Sequence, residues 1–149
     1  RIIRHVMGWD DSHPHDFVFQ KQRIGQLPDN MYCSGPDFDE EDLCLDDVLV
    51  RAKQKLRYTY DFGDNWRHDI VVESIAPLEP GTAKDYPRCT AGKCACPPDD
   101  CGGMWGYYNM LDILEHPEHE DYSMWRGWVE EGFDPESFDI EAANARLRR

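Results

Sequence analysis

The segment LRYTYDFGDNWRHDIVVESI, residues 56–75, contains two runs of β-branched and aromatic residues on either side of a short polar turn. The first run covers residues 56–62 and the second covers residues 68–75, with Gly63, Asp64 and Asn65 between them. Gly, Asn and Asp tolerate the left-handed backbone that tight hairpin turns require. The segment therefore predicts a β-hairpin, and Gly63 is a natural place for the left-handed conformation.

Working toward the N-terminus, the pattern alternates between helix, strand and loop signals. Apolar residues at helical spacing come first, two phenylalanines then alternate on one strand face, and Asp46 is a candidate helix cap. These features predict a helix over residues 1–7 that ends at Gly8, a strand over 15–20, a loop over 25–42 with one short strand at 31–33, and a helix over 47–53.

Beyond the hairpin, the composition first excludes regular structure and then favours helices. Residues 77–103 contain five prolines, four cysteines and four glycines, which is typical of an irregular segment. Helical periodicity follows over residues 107–114, 122–129 and 140–147. Strands first and helices last predict an α+β fold. We expect a mainly antiparallel sheet with a central hairpin, helices packed on one side, and a helical C-terminal part.

The size of the chain and its hydropathy limit its organisation and location. A length of 149 residues is typical of one domain, so we expect a single domain over residues 1–149. No apolar run approaches the roughly 18 residues of a membrane span, and no basic leader precedes an apolar run. We therefore expect a cytoplasmic protein without a membrane partner.

The charge of the chain disfavours some partners and favours others. Thirty acidic against sixteen basic residues give a net charge of −14, which disfavours direct binding to nucleic acid. Residues 99–141 hold thirteen acids and one base, so the helical C-terminal part is a candidate surface for a protein partner. Arg51, Lys53, Lys55 and Arg57 form a basic patch with two interpretations, a solvated face or a ridge for an acidic ligand.

Four cysteines lie within thirteen residues at separations of five, two and five: Cys89, Cys94, Cys96 and Cys101. Four thiolates can surround one Zn²⁺ ion tetrahedrally, and such a closed site would order the irregular segment without binding substrate. Reduced thiols or a disulfide are the alternatives. The cluster is therefore a candidate structural zinc site.

Carboxylates and imidazoles are also concentrated around the hairpin turn. If the hairpin closes tightly, these groups could hold a hard cation or act as a general acid and base. The simpler interpretation is that the acids form Asx turns and that the histidine bonds to the backbone. On the first interpretation, the candidate catalytic residues of a metal-dependent hydrolase are His15, Asp61, Asp64, His68 and Asp100, with His13 beside them.

Four blocks of the sequence resemble one protein family. They are MGWDDSHPHDF at residues 7–17, YTYDFGDNWRHDIVVE at 58–73, YPRCTAGKCACPPDDCGGMWGY at 86–107 and FDPESFDIEAANARL at 133–147. Together they are similar to the plasmid pRiA ORF-three-like domain, whose members are sometimes labelled insertion-element passenger proteins. The resemblance implies an α+β fold that begins upstream with a strand hairpin, so the chain is expected to lack that hairpin.

The same resemblance implies an association with mobile elements but no established reaction. Because Cys94 is not part of the usual family pattern, a family zinc site would use Cys89, Cys96 and Cys101 with another ligand such as His68. Our leading hypothesis is a non-enzymatic binding or accessory module linked to mobile elements, with a protein partner and Zn²⁺ as a candidate stabilising ion. The alternative is the metal-dependent hydrolase, so whether the protein is an enzyme stays open.

Overall fold

A computed structural model describes residues 1–10, 12–26 and 35–148, and the chain divides into two compact units. One unit comprises His13–Leu78 and is here called the sheet unit. The other comprises Arg1–Ser12 with Glu79–Arg149 and is called the helical unit. The expectation of a single domain stays a prediction. The elements are α1 (Ile2–Met7), β1 (His15–Phe19), β2 (Gln22–Gly25), β3 (Phe38–Asp39), α2 (Leu45–Val48), β4 (Lys55–Tyr60), β5 (Trp66–Val71), α3 (Gly103–Glu115), α4 (Tyr122–Trp128) and α5 (Ile140–Leu147).

The sheet unit contains five strands in the order β3-β2-β1-β4-β5. All neighbours are antiparallel except β2 and β3, which are parallel. Side chains alternate between two faces, and on β4 the buried face carries Leu56, Tyr58 and Tyr60. Tyr58 lies between Phe17 of β1 and His68 of β5 in the register. This aromatic row is the centre of the core in the sheet unit. The α+β prediction with its mainly antiparallel sheet and helical C-terminal part is confirmed, whereas the hairpin that was expected to be central forms one edge of the sheet.

The prediction of a helix over residues 47–53 is wrong in its limits. Helix α2 covers only Leu45–Val48 and begins after Cys44, because the Asp47 carboxylate accepts a hydrogen bond from the Cys44 amide at 2.8 Å. After Leu49 the Gln54 side chain accepts bonds from the backbone amides that would otherwise continue the helix. Asp46 is therefore inside the helix rather than its cap. The strand predicted at residues 31–33 lies outside the described residues.

The helical unit is held together by side chains that bond to backbone groups of distant elements. Arg146 of α5 donates from Nε to the carbonyl of His5 at 2.7 Å and from Nη2 to that of Val6 at 3.1 Å. Carbonyls at a helix C-terminus lack partners within the helix and carry partial negative charge, so a guanidinium group stabilises them. Gly8 ends α1 in the left-handed conformation, as expected. The packing of α1 on α5 is thus fixed by one arginine.

Helices α3 and α4 pack on each other within the same unit. Met110 and Ile113 of α3 are buried, whereas α4 has no fully buried residue. The predicted helix over residues 107–114 begins four residues earlier, at Gly103. The longest helix of the described residues is α3 with 13 residues, and none is long and apolar enough to cross a membrane.

The close packing of backbone at the start of α3 requires glycine at position 106, and this requirement can be tested. A Cβ atom at this position would overlap the backbone carbonyl oxygen of Cys101. We expect Gly106→Ala to lower the free energy of unfolding by about 2 kcal/mol or more, because backbone must move to admit the methyl group. Gly127→Ala in α4 is the matched control, since no atom lies within 4 Å of its Cβ position. Alanine forms helix better than glycine, so the control should gain up to about 1 kcal/mol. Urea unfolding curves measure both, and equal effects of the two variants would contradict the close approach.

Candidate functional site

Asp61 organises the turn of the β4–β5 hairpin. Its carboxylate accepts a hydrogen bond from the Gly63 amide at 2.8 Å, and its own amide donates to the Pro14 carbonyl at 2.9 Å. The left-handed residues are Asp61 and Asn65, with φ of 54° and 59°, so the expectation that Gly63 takes this conformation is wrong. Asp61 has the geometry of an Asx turn. The simpler interpretation of this residue is therefore supported by its contacts.

The buried Asp61 carboxylate also faces an imidazole. His13 Nδ1 lies 3.6 Å from Asp61 Oδ2, and the His13 ring makes an edge contact with Tyr60 at a centroid distance of 5.8 Å. The pair lies at the start of the sheet unit, where the chain enters β1. It joins two of the residues named in the hydrolase hypothesis.

His15 makes a different pair. It is buried, and its Nε2 lies 3.0 Å from Oε2 of Glu40 in the short 3-10 turn after β3. The neighbouring Asp16, also buried, accepts from Arg23 Nε at 3.0 Å. His15, Asp16 and Arg23 line a cavity of about 610 Å³ together with Asp39 and Glu41. Sequence reasoning missed Glu40, Asp16 and Arg23, because their pairing depends on how β1, β2 and the turn after β3 come together in space.

His68 lies in strand β5 rather than in the turn. Its ring packs on Tyr58 at a centroid distance of 5.8 Å, and the ring of His15 packs on the same tyrosine at 5.6 Å. Burial lowers the pKa of His68, and a hydrogen bond to the backbone of Trp66 opposes this only in part. The side chain is therefore a neutral member of the aromatic row at neutral pH.

Within the sheet unit, the described ion pairs join these residues two at a time. His13 pairs with Asp61 and His15 pairs with Glu40. Asp64 is half-buried near the turn, and Asp100 belongs to the helical unit. The catalytic role of these residues stays a prediction.

In the helical unit, the proline- and cysteine-rich segment is fixed by hydrogen bonds from other elements. Asn144 of α5 accepts from the Cys89 amide and donates to the Cys89 carbonyl, both at 2.9 Å. Trp9 donates from its indole nitrogen to the Pro97 carbonyl at 3.0 Å, and the Ala95 amide donates to the Pro135 carbonyl at 3.0 Å. These contacts satisfy backbone groups that an irregular segment cannot satisfy internally. Protein contacts therefore supply at least part of the order that zinc was invoked to explain.

Three of the four clustered cysteines influence the ionisation of one tyrosine. Burial raises the pKa of Tyr107, and the thiols of Cys101, Cys94 and Cys96 add to the rise. Burial, with the nearby Asp99 carboxylate, raises the pKa of the Cys96 thiol well above its ordinary value. The Cys89 thiol instead contacts the Ala91 carbonyl at 3.4 Å. Without a metal the Cys96 sulfur is thus a protonated and unreactive thiol.

The thiols as they lie do not fit a tetrahedral zinc ion. Zn–S bonds of about 2.3 Å require the sulfur atoms to be about 3.8 Å apart. Among the residues that the structure describes, no three of the four clustered sulfurs lie within 4.8 Å of one another. The thiols of Cys89, Cys94 and Cys96 form no disulfide. Zinc binding by Cys89, Cys94, Cys96 and Cys101 stays a prediction and would require side-chain rearrangement.

A surface of the helical unit that sequence reasoning did not single out is rich in exposed aromatic and methionine side chains. Trp105 is 89% exposed, and the other members are each more than half exposed. Trp128 donates from its indole nitrogen to the Asp99 carbonyl at 3.2 Å, which places the end of α4 beside the start of α3. We call the following set the α3–α4 surface: Met104, Trp105, Tyr108, Met124 and Trp128.

The fold and these sites define an α+β protein with a five-stranded, mainly antiparallel sheet and a cysteine-rich segment anchored to helices. The chain belongs to the plasmid pRiA4b ORF-3-like protein family, whose model matches residues 1–142. It is 31% identical over 143 residues to the uncharacterized protein y4hQ of Sinorhizobium fredii, covering 96% of this chain and 70% of that one. It is also similar to the crystal structure of MM3350, a protein of unknown function from Methanosarcina mazei, with 38% identity and a TM-score of 0.76, covering 94% and 78% of the two chains. The family suggested by the sequence is thereby confirmed.

The anchoring of the cysteine-rich segment by Asn144 can be tested by limited proteolysis. Asn144→Ala removes both bonds to Cys89, so we expect trypsin to cut after Arg88 or Lys93 roughly tenfold faster. Mass spectrometry identifies the cut sites, and urea unfolding separates local opening from global destabilisation. Asn109→Ala, at an exposed position of α3, is the control and should cut at the wild-type rate. Unchanged cleavage of the Asn144 variant would show that this residue does not hold the segment.

Proposed function

We propose that the protein is a non-enzymatic binding module that docks a protein partner through the α3–α4 surface. The observation that carries the proposal is the 89% exposure of Trp105 together with its exposed apolar neighbours. Contiguous apolar patches on soluble proteins mark interaction sites, and tryptophan, tyrosine and methionine are enriched at them. A tryptophan that packs on nothing in its own unit gains free energy by being buried against a partner.

The members of the α3–α4 surface share faces of their helices. On α3, Met104 and Tyr108 are four residues apart and share one face, with Trp105 next in sequence. On α4, Met124 and Trp128 have the same four-residue spacing. The two helices pack on each other, and Trp128 bonds to the Asp99 carbonyl shortly before α3. These exposed side chains offer an apolar surface for one helix of a partner.

The acidic residues of this part of the chain indicate the charge of the partner. Residues 99–141, which include both helices, hold thirteen acids and one base, Arg126. An acidic segment that also exposes apolar side chains attracts a partner that is apolar on one face and rich in lysine or arginine elsewhere. We therefore assign the occupant as a basic amphipathic helix of another protein. The plasmid name of the family supports a partner encoded by a mobile element.

The test uses a synthetic amphipathic peptide of leucine and lysine at helical spacing as the probe and the full chain as the receptor. We expect saturable binding, measured by calorimetry, and at least a tenfold loss of affinity in Trp105→Ala, since buried tryptophans are frequent binding hot spots. Ile75→Ala and Leu78→Ala remove other exposed apolar side chains, each 57% exposed, from the sheet unit and should leave affinity unchanged.

Three results would overturn this proposal. One is equal loss of affinity in the Trp105 variant and in the two controls. Another is equal binding of a peptide in which glutamate replaces lysine, because charge would then not contribute. The third is self-association of the chain that Trp105→Ala abolishes, measured by sedimentation, because the occupant would then be a second copy. A variant that unfolds is replaced by Trp105→Lys, which retains a long, solvated side chain.

Structural zinc at the four clustered cysteines is a separate part of this proposal. The support is the chemistry of the segment, in which four thiols within thirteen residues match the ligand type and number of a structural zinc ion. The hypothesis predicts about one zinc per chain after purification without chelator and loss of that zinc in a Cys96→Ser, Cys101→Ser variant. Metal analysis below about a tenth of an equivalent, with unchanged folding of the double variant, would exclude the site.

A further inference from the structure

We propose that the open face of the sheet binds a small phosphate-bearing ligand of the nucleotide class. The site is a groove of about 360 Å³ on the sheet unit, here called the arginine groove. Three guanidinium groups line it, with a hydroxyl, an amide and one aromatic ring: Arg23, Arg57, Arg67, Thr59, Asn65 and Phe62. The groove differs from the α3–α4 surface in position and in charge, so the inference goes beyond the docking proposal.

Strand alternation brings the arginines together. Arg57 of β4 faces the same side as Thr59, whereas the intervening Tyr58 is buried in the core. Thr59 pairs directly with Arg67 of β5, so the two arginines are diagonal neighbours on the sheet. Diagonal neighbours are about 7–8 Å apart, which lets two long side chains reach one anion between them. Across β1, Val18 pairs with both Arg57 and Arg23, which places the third arginine in the same row.

Each guanidinium group is anchored at Nε by a neighbour. Arg23 donates to Asp16 at 3.0 Å and Arg57 donates to Asp69 at 3.1 Å. Arg67 donates to the neutral side-chain oxygen of Asn65 at 3.2 Å. Within the described part of the chain, these are the polar contacts of the three groups. The terminal Nη groups therefore remain available in a fixed orientation, and an anchored arginine loses less entropy when it binds phosphate.

The balance of charge in the groove favours an anion. The residues that line the groove include three arginines and one acid, Asp16. Because Arg67 is anchored by an amide, its positive charge is not compensated by a neighbouring acid. The chain as a whole carries −14, so this groove is a local reversal of the global charge. Phosphate oxygens accept paired hydrogen bonds from guanidinium groups with good geometry.

The aromatic ring in the groove indicates that the ligand contains more than phosphate. Phe62 lines the groove and is 49% exposed, although a phenylalanine in a turn usually turns inward. A flat ring beside arginines can stack on a nucleobase, and such stacking tolerates any base. Thr59 and Asn65 add a hydroxyl and an amide for the sugar. Phosphate-binding groups and a stacking platform together indicate a nucleotide rather than inorganic phosphate.

The experiment titrates the full chain with ATP by calorimetry. We expect saturable binding that weakens with added salt, and a roughly tenfold loss of affinity in Arg57→Gln and in Arg67→Gln, because each removes a charge-assisted bond to phosphate. Arg51→Gln is the matched control, since Arg51 is an exposed arginine of the same unit outside the groove lining. Both groove arginines are exposed, so the variants should unfold at the wild-type urea midpoint.

The Phe62→Leu variant distinguishes binding of a whole nucleotide from binding of its phosphates alone. It should weaken binding of ATP several-fold but leave binding of inorganic triphosphate unchanged, since only the base is proposed to stack on the ring. Equal loss in Arg57→Gln and Arg51→Gln would overturn the assignment, because binding would then reflect only general charge. Tighter binding of a single-stranded oligonucleotide than of ATP would also overturn it. Trp105→Ala should leave ATP binding unchanged, so failure here is distinguishable from failure of the docking proposal.

Discussion

The register of β4 between β1 and β5 is the constraint on which the sheet unit depends. In this register Phe17 and His68 flank the buried Tyr58 in one aromatic row, while Arg57 and Thr59 alternate to the open face. A shift by one residue would exchange the two faces and place arginine in the core. Desolvating an unpaired guanidinium group costs far more free energy than a strand pair supplies. The aromatic row therefore fixes the register, and the register assembles the arginine groove.

In the helical unit the corresponding constraint is the supply of hydrogen bonds by α5. One turn of this helix carries Asn144, which bonds to Cys89, and Arg146, which bonds to the last carbonyls of α1. The end of α1 and the backbone at Cys89 are thus both held by α5 side chains that are two residues apart. Ala143, next to Asn144, is fully buried. These contacts supply at least part of the order of the cysteine-rich segment.

The sequence predicted the elements whose signals are local and missed those that depend on distant residues. The β4–β5 hairpin and α5 have strong periodicity and were located well. Strand β2 was missed because its turn with β1 consists of Gln20 and Lys21, which adopt φ of 49° and 73° without the usual glycine or asparagine. Of the candidate site, Asp61 was recognised, but its pairing with His13 is a tertiary contact. The exposure of Trp105 was also hidden, because helical periodicity does not reveal which face stays uncovered.

The net negative charge of the chain does not exclude every anionic ligand. At physiological ionic strength, charges are screened over about 8 Å, so a ligand in the arginine groove responds mainly to the residues that line it. Those residues are net positive, although the chain carries −14. A nucleotide fits within this range, whereas a nucleic acid strand continues beyond it and meets the excess of acidic residues. The same composition that disfavours binding of DNA or RNA therefore permits binding of a small phosphate ligand. The expected difference in affinity between ATP and an oligonucleotide follows from the length of the ligand rather than from its chemistry.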